Sequence, residues 1–376
     1  MNPSPVYLDN NATTALCAEA RAAMEPFLST CYGNPSSSYA FARPASRAVA
    51  RAREQVAAVV HAEPAQVVFT SGGTESNNLA LHAALSARPE RRHLIVTAVE
   101  HKSVLIPARG WAQRGVRLTV IPVSSEGELD EDALDRALDD DTALVSMMAA
   151  NNETGVCHPV AEWIDRIHGV GGWLHTDAIQ AAGKQDVPAA DFISLCAHKM
   201  HGPKGAGALV VPAGLAAFPL LAGGEQESGW RGGTENVAAL AGFGAAAEFI
   251  CGDTRSPMSS CRALREAMEE AVLAQIPDCQ VVGRTQPRLP NTSLFQFAGV
   301  STEALLARLD LAGFCCSSGS ACAAGAHEAS HVLQAQGLSD RGATIRISTS
   351  RFTTRAESEN LVAAMVYGVH QLRRTT

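Results

Sequence analysis

The run QVVFTSGGTESNNL, residues Gln66 to Leu79, sets the reading of the fold. QVVFT is a short apolar segment rich in β-branched and aromatic side chains, which suits a strand. SGGTESNN follows as a glycine-containing polar turn, and LALHAALSA then takes up helical spacing. Exposed backbone N–H groups, the positive helix end and the Thr74 hydroxyl would suit a phosphate. An ordinary tight turn with an N-cap explains the same residues, and the run is neither a Walker A motif nor G-x-G-x-x-G. Upstream, PASRAVARAREQVAAVVHA has apolar positions at helical spacing with a proline near its start. Downstream, HLIVTAVE, RLTVIPV, TALVSMMAA, GWLHTDA, DFISLCAH and GALVVP are further apolar runs, several separated by helical patterns around residues 103–114, 129–138 and 160–169. This alternation predicts an α/β domain with a mainly parallel sheet covered on both faces.

After about residue 250 the rhythm changes. A long helical pattern, CRALREAMEEAVLAQI, leads to strands in QVVG and NTSLFQFAG, the helix STEALLARLDLAG, a small-residue loop, HEASHVLQAQG, the strand ATIRISTS and a terminal helix. These predict a smaller α+β domain. The expected division is a large α/β domain over 15–250, and a small domain formed by 1–14 and 251–376. No internal repeat, low-complexity tract or long linker is visible, so the two parts are expected to pack closely.

The totals agree with a globular enzyme-sized chain. At 376 residues it is long enough for roughly two domains. Hydrophobic content of 46% and charged content of 18% fit a well-buried soluble protein. A net charge of −8 provides no basic field for nucleic acid, and no stable nucleic-acid complex is expected. No apolar run reaches the roughly 18 residues of a membrane span, and the first residues show no signal peptide; a cytoplasmic location is expected. The ten cysteines include no C-x-x-C pair, so reduced thiols are the expectation and no metal site is predicted.

In open α/β sheets ligands collect beyond the carboxyl ends of the strands. There the sequence places the Ser71–Ser76 turn, His101 after HLIVTAVE, Asn151–Glu153 after TALVSMMAA, Asp177 and Gln180 after WLHT, and His198 and Lys199 after DFISLCA. Each alone is readily a cap or a solvated charge. Together they provide a phosphate cradle, an imidazole, an amide, a carboxylate and an amine on one sheet edge. Pyridoxal phosphate needs those parts: a lysine for the Schiff base, a carboxylate for the pyridine nitrogen, a flat ring and a helix end. Only four of the 30 basic residues are lysines. Lys102 neighbours the candidate stacking histidine, Lys184 leads into a turn, and Lys204 sits in GPKG. Lys199 alone comes directly off a buried-type strand, and it is assigned the Schiff base.

Ten motifs in order, YLDNNATT, GNPSS, FTSGGTESNN, EHKSV, NNETG, HTDAIQAAGK, AHKMHGPKG, RGGTEN, SSGSAC and IRIS, resemble the cysteine desulfurases of the NifS/IscS type, closest in tone to NifS. The resemblance covers nearly the whole chain. It implies the pyridoxal-phosphate fold-type I architecture, an aspartate-aminotransferase-like large domain with a mainly parallel seven-stranded-type sheet. It also implies roles. Lys199 matches the cofactor-bearing lysine, His101 the stacking ring, Asp177 the pyridine-nitrogen partner and Gln180 the contact to the phenolic oxygen. Gly73, Thr74 and His198 match phosphate contacts, and Thr234 matches a threonine reaching the phosphate from the other subunit of a homodimer. Asn34, Asn152 and Arg346 match groups near the substrate, with Arg346 suited to clamp its carboxylate. Cys322 matches the cysteine that becomes a persulfide. Cys196 stands where many relatives have serine, so its thiol would bind phosphate more weakly, and Ala197 replaces a glycine. The stretch after Cys322, AAGAHEASHVL, also departs from the usual pattern.

The activity so implied converts L-cysteine to L-alanine, with Lys199 removing the Cα proton, His101 placed to assist protonation steps, and Cys322 taking the sulfur. Passing the sulfur to an acceptor protein, such as an iron–sulfur scaffold, would follow. A selenocysteine lyase or an aminotransferase of the same fold is an alternative, as is a sulfur-relay scaffold without turnover. The small-residue loop of about 315–327 is expected to be mobile, since one thiol must meet substrate inside and acceptor outside.

Overall fold

A computed structural model describes residues 5–252, 255–319, 330–339 and 341–374. The centre is a seven-stranded sheet, in the order Val67–Thr70, Gly207–Val210, Phe192–Cys196, Trp173–Asp177, Thr142–Ser146, His93–Thr97 and Arg117–Ile121. Gly207–Val210 runs antiparallel to both neighbours, and every other pairing is parallel. The sheet is therefore mainly parallel, and the carboxyl ends of six strands share one edge.

The strands became strands because both faces are covered. Every residue of Val67–Thr70, His93–Thr97, Thr142–Ser146, Phe192–Cys196 and Gly207–Val210 is buried, which explains runs without polar alternation. Arg117–Ile121 is the partly exposed edge, and its Arg117 is paired with Asp139, which blunts further strand addition. One face carries Val56, Ile95, Trp163, Leu195 and Phe243 in a continuous core, and the other packs Leu81, Leu94, Val104 and Phe192. The helix Val237–Gly252 crosses Arg43–Val59 closely enough that a Cβ on Gly244 would lie 2.6 Å from Ala52 Cα. Its glycines and alanines serve that approach.

A second core lies beside this layer. Ala343–Ser348, Thr292–Phe297 and Cys279–Val281 form an antiparallel three-stranded sheet. Phe295, Phe297, Ile345 and Ile347 pack against the helices Arg255–Gln275, Thr302–Leu311 and Arg355–Arg373. The last helix starts at a capping box in which Thr354 and Glu357 satisfy each other's backbone N–H groups. The N-terminal strand Val6–Tyr7 pairs in parallel with Phe314–Cys315, and Asp9 bridges to Ser348. The chain then turns so that Asn11 reaches between the two sheets, its Nδ2 donating to Thr292 Oγ1 and to the Asn152 carbonyl. No single helix among the described residues is long and apolar enough to cross a membrane.

Candidate active site

The carboxyl edge of the parallel strands opens into a cavity of about 440 Å³. Of the residues singled out from sequence, Gly73, Thr74, His101, Asn152, Asp177, Gln180, Cys196, His198, Lys199 and Arg346 line it. Asn34 does not. It is exposed, and its Oδ1 accepts the Ser36 N–H in a local turn. Thr234 is likewise exposed and outside the cavity wall of this single chain. Cys322 lies outside the described residues, as does most of the loop that carries it.

Each strand end delivers its group by a local device. After Val67–Thr70 the helix Gly73–Ala87 starts at the cavity, bringing its first N–H groups there. A Cβ on Gly73 would lie 2.1 Å from Ile179 Cδ1, so any side chain here would require Ile179 to move. After Thr142–Ser146, Asn151 Oδ1 accepts the N–H groups of Glu153 and Thr154, and this turn sets Asn152 and Glu153 against the cavity. Asp177 ends its strand buried; its Oδ1 accepts the Ile179 N–H and its Oδ2 accepts Asn77 Nδ2 at 2.7 Å. Lys199 stands in the turn Ala197–Lys199 beyond Phe192–Cys196, and its Nζ donates to the carbonyls of Asn11 and Ala12.

Burial shapes the charges. The imidazole of His101 is pushed below its ordinary range, mainly by burial, with Lys199, His331 and Lys102 acting in the same sense and Asp177 against. Burial and the nearby Lys199, Lys204 and Lys184 take His198 down to about 4, so its ring is neutral at neutral pH. Burial raises the thiol of Cys196, which lines the wall as a neutral, weakly donating group. Glu100 is pushed up to about 8 by burial and then by Asp177. Its Oε1 is held by Thr97 and the Met148 N–H.

The tertiary partners that surround the site residues carried no sequence signal. Lys184, read as a turn residue, is buried and donates to the Gln180 carbonyl and to Gln180 Oε1 at 2.8 Å. Burial, with Lys199 and Arg346 nearby, lowers it to about 7. An ammonium only donates, so its contact fixes Gln180 with Oε1 toward Lys184 and Nε2 toward the Asn11 carbonyl. Arg346 is almost fully buried; it pairs with Asp9 and donates to the carbonyls of Asn152 and Gly319. His331 and Lys102 also line the cavity, and Ser330 Oγ donates to Glu153 Oε2 at 2.6 Å. Asn11, Ser330 and His331 come from remote segments, so only their position in the fold reveals them.

Comparison with known proteins bears on the family and the fold. Residues 6–361 match the family model described as aminotransferase class-V. The chain is 44% identical to a cysteine desulfurase of Nostoc sp., over 98% of this chain and 94% of that protein. It is 41% identical to the cysteine desulfurase NifS of Azotobacter vinelandii, over 99% and 94% of the two chains. A solved structure titled NifS-like protein superposes with a TM-score of 0.89 at 31% identity, covering 96% of this chain and 98% of that one.

Proposed function

The chain belongs to the class-V aminotransferase family, and on that premise we propose that it is a pyridoxal-phosphate-dependent cysteine desulfurase. It takes L-cysteine, releases L-alanine and leaves the sulfur on Cys322 as a persulfide. The observation that carries this reading is the convergence of Lys199, Asp177 and His101 on one cavity with the N-terminus of Gly73–Ala87.

The residues present fit the cofactor. Gly73 leaves a side-chain-free cradle at a helix N-terminus, where a phosphate is stabilised by N–H groups and the helix dipole. Asp177 offers a buried carboxylate to a protonated ring nitrogen, and Gln180 offers an amide N–H to a phenolic oxygen. Thr74 and His198 would add phosphate contacts, and Lys199 supplies the amine. Thr234, exposed on this chain, is proposed to reach the phosphate of a second copy across a homodimer interface.

When bound, pyridoxal phosphate supplies an electron sink for the carbanion formed at the substrate Cα. Lys199 Nζ takes the Cα proton, and the two carbonyls that hold it keep the amine on the cavity side of the turn. Asn152 and Arg346 orient the substrate carboxylate. The Cys322 thiolate attacks the substrate sulfur: an S–S bond forms as the Cβ–S bond breaks, and the electron pair of that bond stays with carbon, which is then protonated on the way to alanine. No external oxidant is consumed. The persulfide then passes to an acceptor protein, for which an iron–sulfur scaffold is proposed.

Purified protein supplied with pyridoxal phosphate should turn yellow and lose that band on borohydride treatment. With a dithiol reductant present to cleave the persulfide, it should release alanine and sulfide in equal amounts from L-cysteine. A colourless protein, or a keto acid as product, would overturn this reading. Cys322→Ala should keep the colour and lose the persulfide.

A further inference from the structure

The reach of the Asp177 carboxylate extends past the cavity wall into a buried hydrogen-bond chain that ends on His101. Asp177 Oδ2 lies 2.7 Å from the Asn77 side chain. A carboxylate accepts, so the Asn77 atom facing it is the NH₂ group and the amide orientation is set. The second proton of that NH₂ is directed at Ser103 Oγ, 2.8 Å away. Ser103 Oγ therefore accepts from Asn77, which leaves its own proton for His101 Nδ1 at 2.7 Å. The Ser103 backbone N–H also points at Nδ1, 3.1 Å away, because His101 is the N-cap of the helix Lys102–Ala112. Two donors converge on Nδ1, which leaves no place there for a ring proton. Asn77 is fully buried and Ser103 nearly so, which keeps water from competing for these bonds.

We infer that Asn77 and Ser103 are positioning residues that hold His101 as the neutral tautomer with its proton on Nε2, so that His101 offers a hydrogen-bond donor and not a base. The inference deepens the desulfurase reading and takes its catalytic meaning from it. Proton removal from substrate then falls to Lys199, and no proton leaves His101. The ring's surroundings support a neutral state: burial is the main influence, Lys199, His331 and Lys102 act in the same sense, and only Asp177 opposes them. The lone pair that could act as a base is turned into the protein, toward Ser103.

The test is ¹⁵N NMR of histidine-labelled, cofactor-loaded protein at neutral pH, which reads the tautomer without turnover. His101 should show a protonated Nε2 and an unprotonated Nδ1. Ser103→Ala removes one of the two donors and should transfer part of the population to the Nδ1–H form. Steady-state kinetics provide the second arm. His101→Gln keeps a side-chain N–H donor and should retain about 10-fold more kcat than His101→Ala, the worth of one hydrogen bond. Cofactor absorbance in each variant confirms a folded site. A wild-type spectrum with the proton on Nδ1, or a His101→Gln enzyme as inactive as His101→Ala, overturns the inference. A wild type inactive on L-cysteine with His101 in the Nε2–H form would sink the proposed activity and leave the relay standing.

Discussion

Lys199 and Arg346 face one cavity from different sheets, and their surroundings differ. Lys199 comes off a parallel strand and is held by two neutral carbonyls, those of Asn11 and Ala12. Arg346 comes off the antiparallel sheet and is committed to a carboxylate, Asp9, together with the carbonyls of Asn152 and Gly319. Neutralising or moving the Arg346 guanidinium would leave the Asp9 carboxylate unpaired, so the ion pair holds that side chain in place. The wall opposite the strand-end rim thus carries a fixed charge. An incoming substrate carboxylate would have to share Arg346 with Asp9.

The largest expected effect breaks the rim. Lys199→Ala should lower desulfurase turnover by at least ~10³-fold, the scale of a lost general base, measured as alanine release with cofactor occupancy held constant. Turnover near wild type would place the reactive amine elsewhere. Next, Gly73→Ala puts a methyl group 2.1 Å from Ile179 Cδ1. Overpacking of about 1–3 kcal/mol should weaken cofactor retention roughly 10- to 100-fold, as read by absorbance titration. The double variant Gly73→Ala, Ile179→Ala should recover much of it. An unchanged affinity in Gly73→Ala would show that the helix entry does not cradle the phosphate.

The wall responds more gently. Asp9→Asn removes the charge that competes for Arg346 and should lower KM for L-cysteine a few-fold, with kcat little changed. It should also lower the thermal midpoint, because the buried Arg346 loses its counter-ion. A rise in KM would mean that Asp9 positions the guanidinium more than it competes for it. Lys184 should leave turnover to the other residues and act on stability alone. Its amine is lowered to about 7 in the folded protein, below its unfolded value. Between about pH 7 and the unfolded pKa the unfolded chain binds more protons, so this residue makes stability rise with pH at up to about 1.4 kcal/mol per unit. Below about pH 7 its contribution is flat. Urea midpoints across pH 7–9 should show this slope in the wild type, and Lys184→Met should flatten it.

The parallel sheet and its rim were legible because their signals are local. Uninterrupted apolar runs such as DFISLC and TALVS mark strands covered on both faces, and the residue after each run must stand on the carboxyl edge. His101, Asp177 and Lys199 follow from that rule alone. What escaped the sequence reading depends on tertiary partners. Lys184 follows a glycine and reads as a turn, yet the fold buries it against Gln180. Asp9 gave no sign of the ion pair with Arg346, its partner 337 positions along the chain. Ser103 and Asn77 look like routine helix residues until Asp177 is placed beside them. Asn34, matched by resemblance alone, is exposed on this chain and is not among the residues that line its cavity.

Lys199 is proposed as the amine that holds the cofactor. Cofactor-loaded protein should be reduced with borohydride, digested and mapped by mass spectrometry for the stable pyridoxyl adduct. The adduct is expected on Lys199, in the peptide containing AHKMHG, at close to one per chain. An adduct on Lys184, Lys102 or Lys204, or none at all, would contradict it.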